Sequence, residues 1–160
     1  MSSIWRRLLL AAAALVILFA APLAGRGCAS APEPAARRGR VGVAAAADLN
    51  VAMGEMVSRF SKSHDVDVTI SFGSSGNFFE QLLNQAPFDL FLSADLEYPN
   101  QLAARGLTVP QSEFTYAADH GGVILKWAAD VDAARALRGF LLSADGRAVL
   151  QRSGFALPDR

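Results

Sequence analysis

The chain has 160 residues, 52% of them hydrophobic and 19% charged, so one globular domain is expected and overall intrinsic disorder is excluded. Fifteen basic and fifteen acidic residues cancel, which argues against a nucleic-acid binder because such proteins carry a basic excess. One cysteine and two histidines exclude a disulfide framework and a multi-cysteine metal site, and they disfavour a histidine-rich one.

The first 31 residues are typical of an export signal. Arg6 and Arg7 precede an apolar stretch over residues 8–24, and small residues at 29–31 offer a cleavage site. A retained membrane anchor is the alternative, since that stretch lies at the lower limit of a bilayer span. Cys28 leaves a lipid anchor open, although Arg26 lies where a lipoprotein signal has small apolar residues. Export is therefore predicted.

Removal of residues 1–31 leaves 12 basic and 15 acidic residues, a net charge of about −3, and no cysteine. Residues 32–39 have no apolar period and are predicted to be a flexible lead-in. The folded body is therefore expected over residues 40–160.

From residue 40 the hydrophobic pattern alternates between strand and helix. Short apolar or β-branched runs predict strands at residues 40–45, 66–72, 88–93 and 122–126. A 3.6-residue period predicts helices at 49–60, 78–83, 98–105 and 133–142, and one between Ser143 and Gly154. Asp48 and Ser143 are predicted N-caps, and Gly106 and Gly154 are predicted helix ends. This order predicts an α/β fold with a parallel sheet covered by helices.

Two strand-to-helix turns of small residues form a candidate site. The first runs from Ala45 to Asp48 and the second is Gly73-Ser74-Ser75-Gly76. Ligands of such sheets bind at the carboxyl ends of strands, where helix N-termini offer free N–H groups and a positive dipole end. Two such turns aimed at one point would hold a small anion. The alternative is a pair of ordinary turns with no ligand.

Three motifs then resemble one known family. Residues 43–49 (VAAAADL), 71–76 (SFGSSG) and 86–95 (APFDLFLSAD) occur in the order and spacing of the periplasmic molybdate-binding proteins of ABC transporters. Residues 114–117, 122–126, 140–143 and 154–158 resemble further segments of that family. The resemblance covers nearly all of residues 41–158.

The resemblance implies a periplasmic-binding-protein type II-like fold, in which two α/β lobes close over molybdate or tungstate. It implies a receptor without a cofactor, not an enzyme, which works as a monomer with an ABC permease in the inner membrane. The resemblance further implies that Ser75 hydrogen-bonds the oxyanion, with Ser74 beside it. It also implies that Ala47 and Asp48 form the first turn that contacts the anion. No residue is a direct metal ligand, because molybdenum would be held only as molybdate, through Ser75 and the Asp48 backbone.

The chain departs from the family in two ways. The Asp48 carboxylate would repel an oxyanion, unless it caps its own helix and only backbone N–H groups face the ligand. The family also inserts a second lobe of about 100 residues between Ala117 and His120, where this chain has two. A single lobe built from residues 40–118 and 119–160 is therefore expected, with weakened binding. Tyr116 belongs to the segment between lobes and is not the family's tyrosine donor.

Two alternatives stay open at this point. One is a structural remnant that binds nothing and exposes an apolar surface where the second lobe would pack. The other is a small exported hydrolase, with Ser74 or Ser75 as nucleophile or with Asp89 and Asp95 as paired carboxylates. Such a nucleophile needs a histidine base, and His64 and His120 are predicted to be surface residues instead.

Overall fold

The structure is a computed structural model that describes residues 38–158. The predicted signal, Cys28 and most of the predicted lead-in lie outside the described residues. No helix within residues 38–158 has the length and apolar character needed to cross a membrane.

Strands and helices follow the predicted order, with ends shifted by a few residues. The described elements are β1 (Gly39–Ala46), a 3-10 turn (Ala47–Leu49), α1 (Asn50–Phe60), β2 (Val66–Gly73), α2 (Ser75–Leu83), β3 (Leu90–Ser93), α3 (Glu97–Ala104), β4 (Phe114–Ala117), β5 (His120–Ile124), α4 (Val131–Leu142) and α5 (Ala144–Arg152). The strand β4 had not been predicted, and β5 starts two residues before its predicted position.

The strands form one mixed sheet in the order β2-β1-β3-β5-β4. The prediction of a parallel sheet is confirmed for the first three strands, since β1 pairs in parallel with β2 and with β3. It is wrong for β5, which runs antiparallel to β3 and to β4. The two-residue turn between Ala117 and His120 makes β5 antiparallel to β4, because a connection that short joins only antiparallel strands, and the pairing of this hairpin with β3 sets its direction there.

Both faces of the sheet are buried under helices. Alternating side chains of β1 and β3 divide between two hydrophobic clusters: Val43 and Leu90 join one cluster, whereas Ala44 and Phe91 join the other. The first cluster is covered by α1, α4 and α5, and the second by α2 and α3. This three-layer arrangement confirms the predicted α/β class and leaves the strand ends as the place for a site.

Helix ends match the predicted signals in three places. The Ser143 hydroxyl accepts a hydrogen bond from the Gly146 N–H at 3.2 Å and caps α5. Gly106 and Gly154 follow helix ends with φ of +68° and +91°, a backbone region that glycine adopts without steric cost. These short-range predictions are confirmed.

Candidate functional site

The two predicted turns lie side by side at one edge of the sheet. Ala46, the last residue of β1, pairs in register with Gly73, the last residue of β2. The next residues of each strand, Ala47 and Ser74, therefore leave the sheet next to one another. β3 ends at the same edge with Ser93, so three parallel strands bring their carboxyl ends together there.

The first turn carries no side-chain cap. The predicted capping role of Asp48 is wrong, because Asp48 lies within the 3-10 turn rather than before it and caps neither that turn nor α1. Its Oδ2 lies 2.8 Å from Nε2 of His120 instead. No side-chain cap satisfies the N–H groups that open this turn, and the first N–H groups of a helix have no acceptor within it, so they are candidate donors to a ligand.

The second turn is held by hydrogen bonds to its two serines. The Ser74 hydroxyl accepts a bond from the Asn77 N–H at 3.5 Å, which caps α2. Ser75 is buried, with 9% of its surface exposed, and its hydroxyl accepts a bond from the Ala94 N–H at 3.0 Å. A hydroxyl has one hydrogen to donate and two lone pairs to accept. Both serines therefore accept from the backbone and keep a hydrogen free for a ligand.

The end of β3 supports this turn from the side. The Tyr116 hydroxyl donates to the carbonyl oxygen of Ser93 at 2.8 Å, and the Tyr116 ring is fully buried. Burial raises the pKa of Tyr116 above its usual range, and the charges of Asp48 and Asp95 add to this shift. Tyr116 thus acts as a neutral strut at this edge.

The carboxylates of Asp89 and Asp95 do not form a catalytic pair. Asp95 lies beyond the carboxyl end of β3, where its Oδ1 accepts from the N–H groups at the start of α3. Asp89 lies just before the other end of that strand, and its two oxygens accept from the N–H groups of Gly42 and Ala129. Both carboxylates serve the fold.

The two histidines are not plain surface residues, which corrects the prediction. His64 stacks on Phe60 with ring centroids 4.2 Å apart. The His120 side chain is only 18% exposed, and its ring meets the edges of Tyr116 and Phe155. Sequence reasoning missed the contact of His120 with Asp48, because 72 positions separate the two residues and no local motif joins them.

The arrangement suits anion binding better than catalysis or metal binding. The recorded bonds of the Ser74 and Ser75 hydroxyls run to backbone N–H groups, so within residues 38–158 neither serine is paired with a histidine base. The described part of the chain also lacks any group of three or more His, Cys, Asp or Glu side chains able to hold a metal ion. What remains is a set of neutral donors around two helix starts, with the Asp48 carboxylate at the first start in contact with His120.

This edge is open. A groove of about 290 Å³ lies beside Ser74 and is lined by Ser71, Asn77, Gln81 and three phenylalanines, among other residues. Ala47, Asp48 and Ser75 are not among its lining residues. Of the four predicted site residues, only Ser74 therefore lines this groove.

Part of this chain matches known proteins in sequence. A family model described as bacterial extracellular solute-binding protein matches residues 41–124. The molybdate-binding proteins ModA of Azotobacter vinelandii and Rhodobacter capsulatus are 41% and 40% identical to this chain over 95 residues. Each alignment covers 59% of this chain and 36% of the relative, so the chain spans little more than a third of the length of the curated relatives that it matches.

A solved structure supports the same fold. The periplasmic molybdate-binding protein of A. vinelandii superposes with a TM-score of 0.70, covering 74% of this chain and 100% of that chain at 16% identity. These relatives are solute-binding proteins and not enzymes. These relatives therefore give no support to the hydrolase hypothesis.

Proposed function

This chain belongs to the family of bacterial extracellular solute-binding proteins, and we propose that it holds a tetrahedral oxyanion, molybdate or tungstate, at the edge where β1 and β2 end. The proposed contacts are backbone N–H groups of the turn at Ala47 and Asp48, and the hydroxyls of Ser74 and Ser75. The oxyanion is cargo and not a cofactor.

The observation that carries this proposal is the pairing of Ala46 with Gly73, which sets two helix starts beside each other. Each start directs backbone N–H groups and the positive end of a helix dipole at the same edge, and at the second start the Asn77 N–H is engaged by Ser74. The Ser75 hydroxyl is fixed by the Ala94 N–H in an orientation that leaves its hydrogen free. Such donors bind a dianion through charge-assisted hydrogen bonds without adding charge of their own.

We expect this binding to be weak. The chain passes from β4 to β5 through two residues, so we propose that residues 40–160 form a single lobe and leave the anion in an open, wet cleft. Hydrogen bonds to a solvated anion contribute little net free energy. A single lobe of this kind would offer no second lobe for closure about a hinge.

The proposed setting is the periplasm. The export signal predicted for residues 1–31 would deliver the chain there, with a lipid anchor at Cys28 as the variant of this route. The partner would be an ABC permease of the inner membrane, to which the chain, as a monomer, hands the anion. Mass spectrometry of the mature protein decides between cleavage and lipidation.

A folded remnant that binds no anion is the second candidate. Two observations favour it: the Asp48 carboxylate stands at the first turn, and large hydrophobic side chains are exposed near this edge. Val51 in the first turn of α1 is 80% exposed, Phe72 near the end of β2 is 38% exposed, and Leu96 after β3 is 37% exposed. An apolar surface of this kind is expected where a second lobe would pack.

Thermal unfolding with added anions separates the two candidates. Molybdate at about 1,000 times its dissociation constant should stabilise the fold by roughly 4 kcal/mol, a rise in Tm on the order of 10 °C. Sulfate and phosphate at equal ionic strength are the controls. A rise specific to molybdate or tungstate supports the receptor, whereas a cooperative transition that no anion shifts supports the remnant.

A further inference from the structure

We propose that His120 is a positioning residue of this oxyanion site: it holds the Asp48 carboxylate at the β5 end of the edge, away from the N–H groups of the first turn, so that this turn can accept an anion. The inference rests on the proposed function. It concerns how a site that contains a carboxylate remains open to a negatively charged ligand.

Asp48 poses a problem for anion binding in two respects. A carboxylate in the first turn of a helix is attracted to the same N–H groups and the same dipole end that an anion would use. It also repels the anion directly. The Asp48 side chain is 46% exposed, so it has room to swing towards the turn. Something must hold it elsewhere if the turn is to bind.

The observed partner of Asp48 is His120. Nε2 of the imidazole lies 2.8 Å from Oδ2 of the carboxylate, and no bond from the Asp48 side chain to the N–H groups of its own helix start is formed. The imidazole is an N–H donor at this contact, and it is a cation when it is doubly protonated. In either state it competes with the turn for the carboxylate.

The His120 ring is held in place by aromatic contacts that do not involve Asp48. The ring edge packs against Tyr116, with centroids 5.6 Å apart, and against Phe155, with centroids 5.2 Å apart. Phe155 lies in the C-terminal segment, which is tied to the β4–β5 turn by the bond from the Ala118 N–H to the Ala156 carbonyl at 2.8 Å. A clamped ring loses little conformational entropy when it contacts a carboxylate, unlike a mobile surface side chain.

Several other acidic residues lie near the contact between Asp48 and His120. Asp95 and Glu97 follow β3 at the same edge, and Asp119 directly precedes His120. The Asp95 carboxylate is engaged by N–H groups at the start of α3. The Asp48 carboxylate, which stands in the proposed anion turn, is instead engaged by the His120 imidazole.

The test is a double-mutant cycle in the whole protein, read as the dissociation constant for molybdate and for sulfate by titration calorimetry. His120→Phe keeps an aromatic ring between Tyr116 and Phe155 but removes the donor. Asp48→Asn removes the charge. His64→Phe is the matched control, because it makes the same exchange beyond the far end of α1.

We expect His120→Phe to weaken molybdate binding by about tenfold or more, which corresponds to about 1.4 kcal/mol. Asp48→Asn should bind more tightly than the unchanged protein, and adding His120→Phe to it should cost less than about threefold. His64→Phe should leave the dissociation constant unchanged. Circular dichroism checks that each variant folds; if His120→Phe does not, His120→Gln replaces it, with a smaller loss and the same rescue by Asp48→Asn.

Three outcomes overturn the inference, and they differ from one another. If His120→Phe binds like the unchanged protein, His120 has no part in binding, and the proposed function stands. If the loss persists in the double variant, His120 acts on the fold or on the anion directly, not through Asp48. If none of the proteins binds any anion, the proposed function itself is wrong and the inference falls with it.

Discussion

The two strand-to-helix junctions of this edge reach the same geometry by different means. The second junction has one local contact, the Ser74 cap of α2, and one longer contact, in which the Ser75 hydroxyl accepts from the Ala94 N–H 19 positions along the chain. The first junction is not local, since the carboxylate of Asp48 is held by His120, 72 positions away. The cap of the second turn is therefore encoded in one motif, whereas the contact that holds Asp48 depends on the return of the chain through β5.

This difference assigns separate tasks to the junctions. The second should supply both stability and the strongest donor, because its serine is buried and already oriented. The first should supply N–H groups at little cost to the fold, because nothing in it caps a helix. Substitutions at the two junctions should consequently differ in what they damage.

The largest effect is expected from Ser75→Ala. The change leaves the Ala94 N–H without its acceptor beside a buried strand, which should lower the free energy of unfolding by about 1–3 kcal/mol. It also removes the proposed donor to the anion and should weaken molybdate binding by roughly ten- to a hundredfold. Urea unfolding and calorimetry measure the two effects. Ser58→Ala, on the exposed face of α1, is the matched control and should change neither.

Tyr116→Phe should have the next largest effect, and it tests the support that Tyr116 gives to the carboxyl end of β3. Loss of the bond to the Ser93 carbonyl should cost about 1 kcal/mol at neutral pH. The raised pKa of Tyr116 means that the folded state resists ionisation of the phenol while the unfolded state does not. The resulting stability is complete below the unfolded pKa of about 10 and is lost as pH rises beyond it.

Urea unfolding between pH 7 and pH 11 measures this contribution. The unchanged protein should lose stability steeply above about pH 10, and Tyr116→Phe should show a shallower loss. Equal slopes for the two proteins would contradict the account of Tyr116 as a buried neutral strut.

Ser74→Ala should have a smaller effect, confined to the helix start. Removal of an N-cap serine costs about 1 kcal/mol, and the long 3.5 Å bond to the Asn77 N–H places this cap at the lower end. Molybdate binding should weaken less than in Ser75→Ala, because Ser74 is exposed to water. A binding loss larger than that of Ser75→Ala would reverse the ranking of the two serines.

Asp48→Ala should have the smallest effect on stability. Its carboxylate caps no helix, and an ion pair of this exposure contributes about 0–1 kcal/mol, so the expected change is below about 1 kcal/mol. Thermal unfolding without added anion measures it. A loss as large as that of a true N-cap would show that the two junctions are built alike after all.

Most of the fold could be predicted because its signals are short-range. Alternating apolar residues indicated β2, a 3.6-residue period indicated α1, and Ser143 and Gly154 marked the ends of α5. The direction of β5 could not be predicted in the same way. It follows from the pairing of β3 with the β4–β5 hairpin, which is a long-range property of the sheet.

The candidate site likewise has a part that short-range signals predict and a part that depends on long-range contacts. The second turn could be proposed from Gly73-Ser74-Ser75-Gly76 alone, because a serine before a helix caps it wherever the helix packs. Asp48 was predicted to cap α1 on the same reasoning, and that prediction was wrong. The chain enters α1 through a 3-10 turn that includes Asp48, and only the fold brings His120 within reach of its carboxylate.

The most direct test of the central claim is a crystal of this protein soaked in tungstate, with tungsten located by its anomalous scattering. The account predicts a tungsten peak at the edge where β1 and β2 end, with one tungstate oxygen within hydrogen-bond distance of the Ser75 hydroxyl and another near the N–H groups of the Ala47–Asp48 turn. A peak elsewhere on the molecule, or none at millimolar tungstate, would contradict the claim that these two junctions form one oxyanion site.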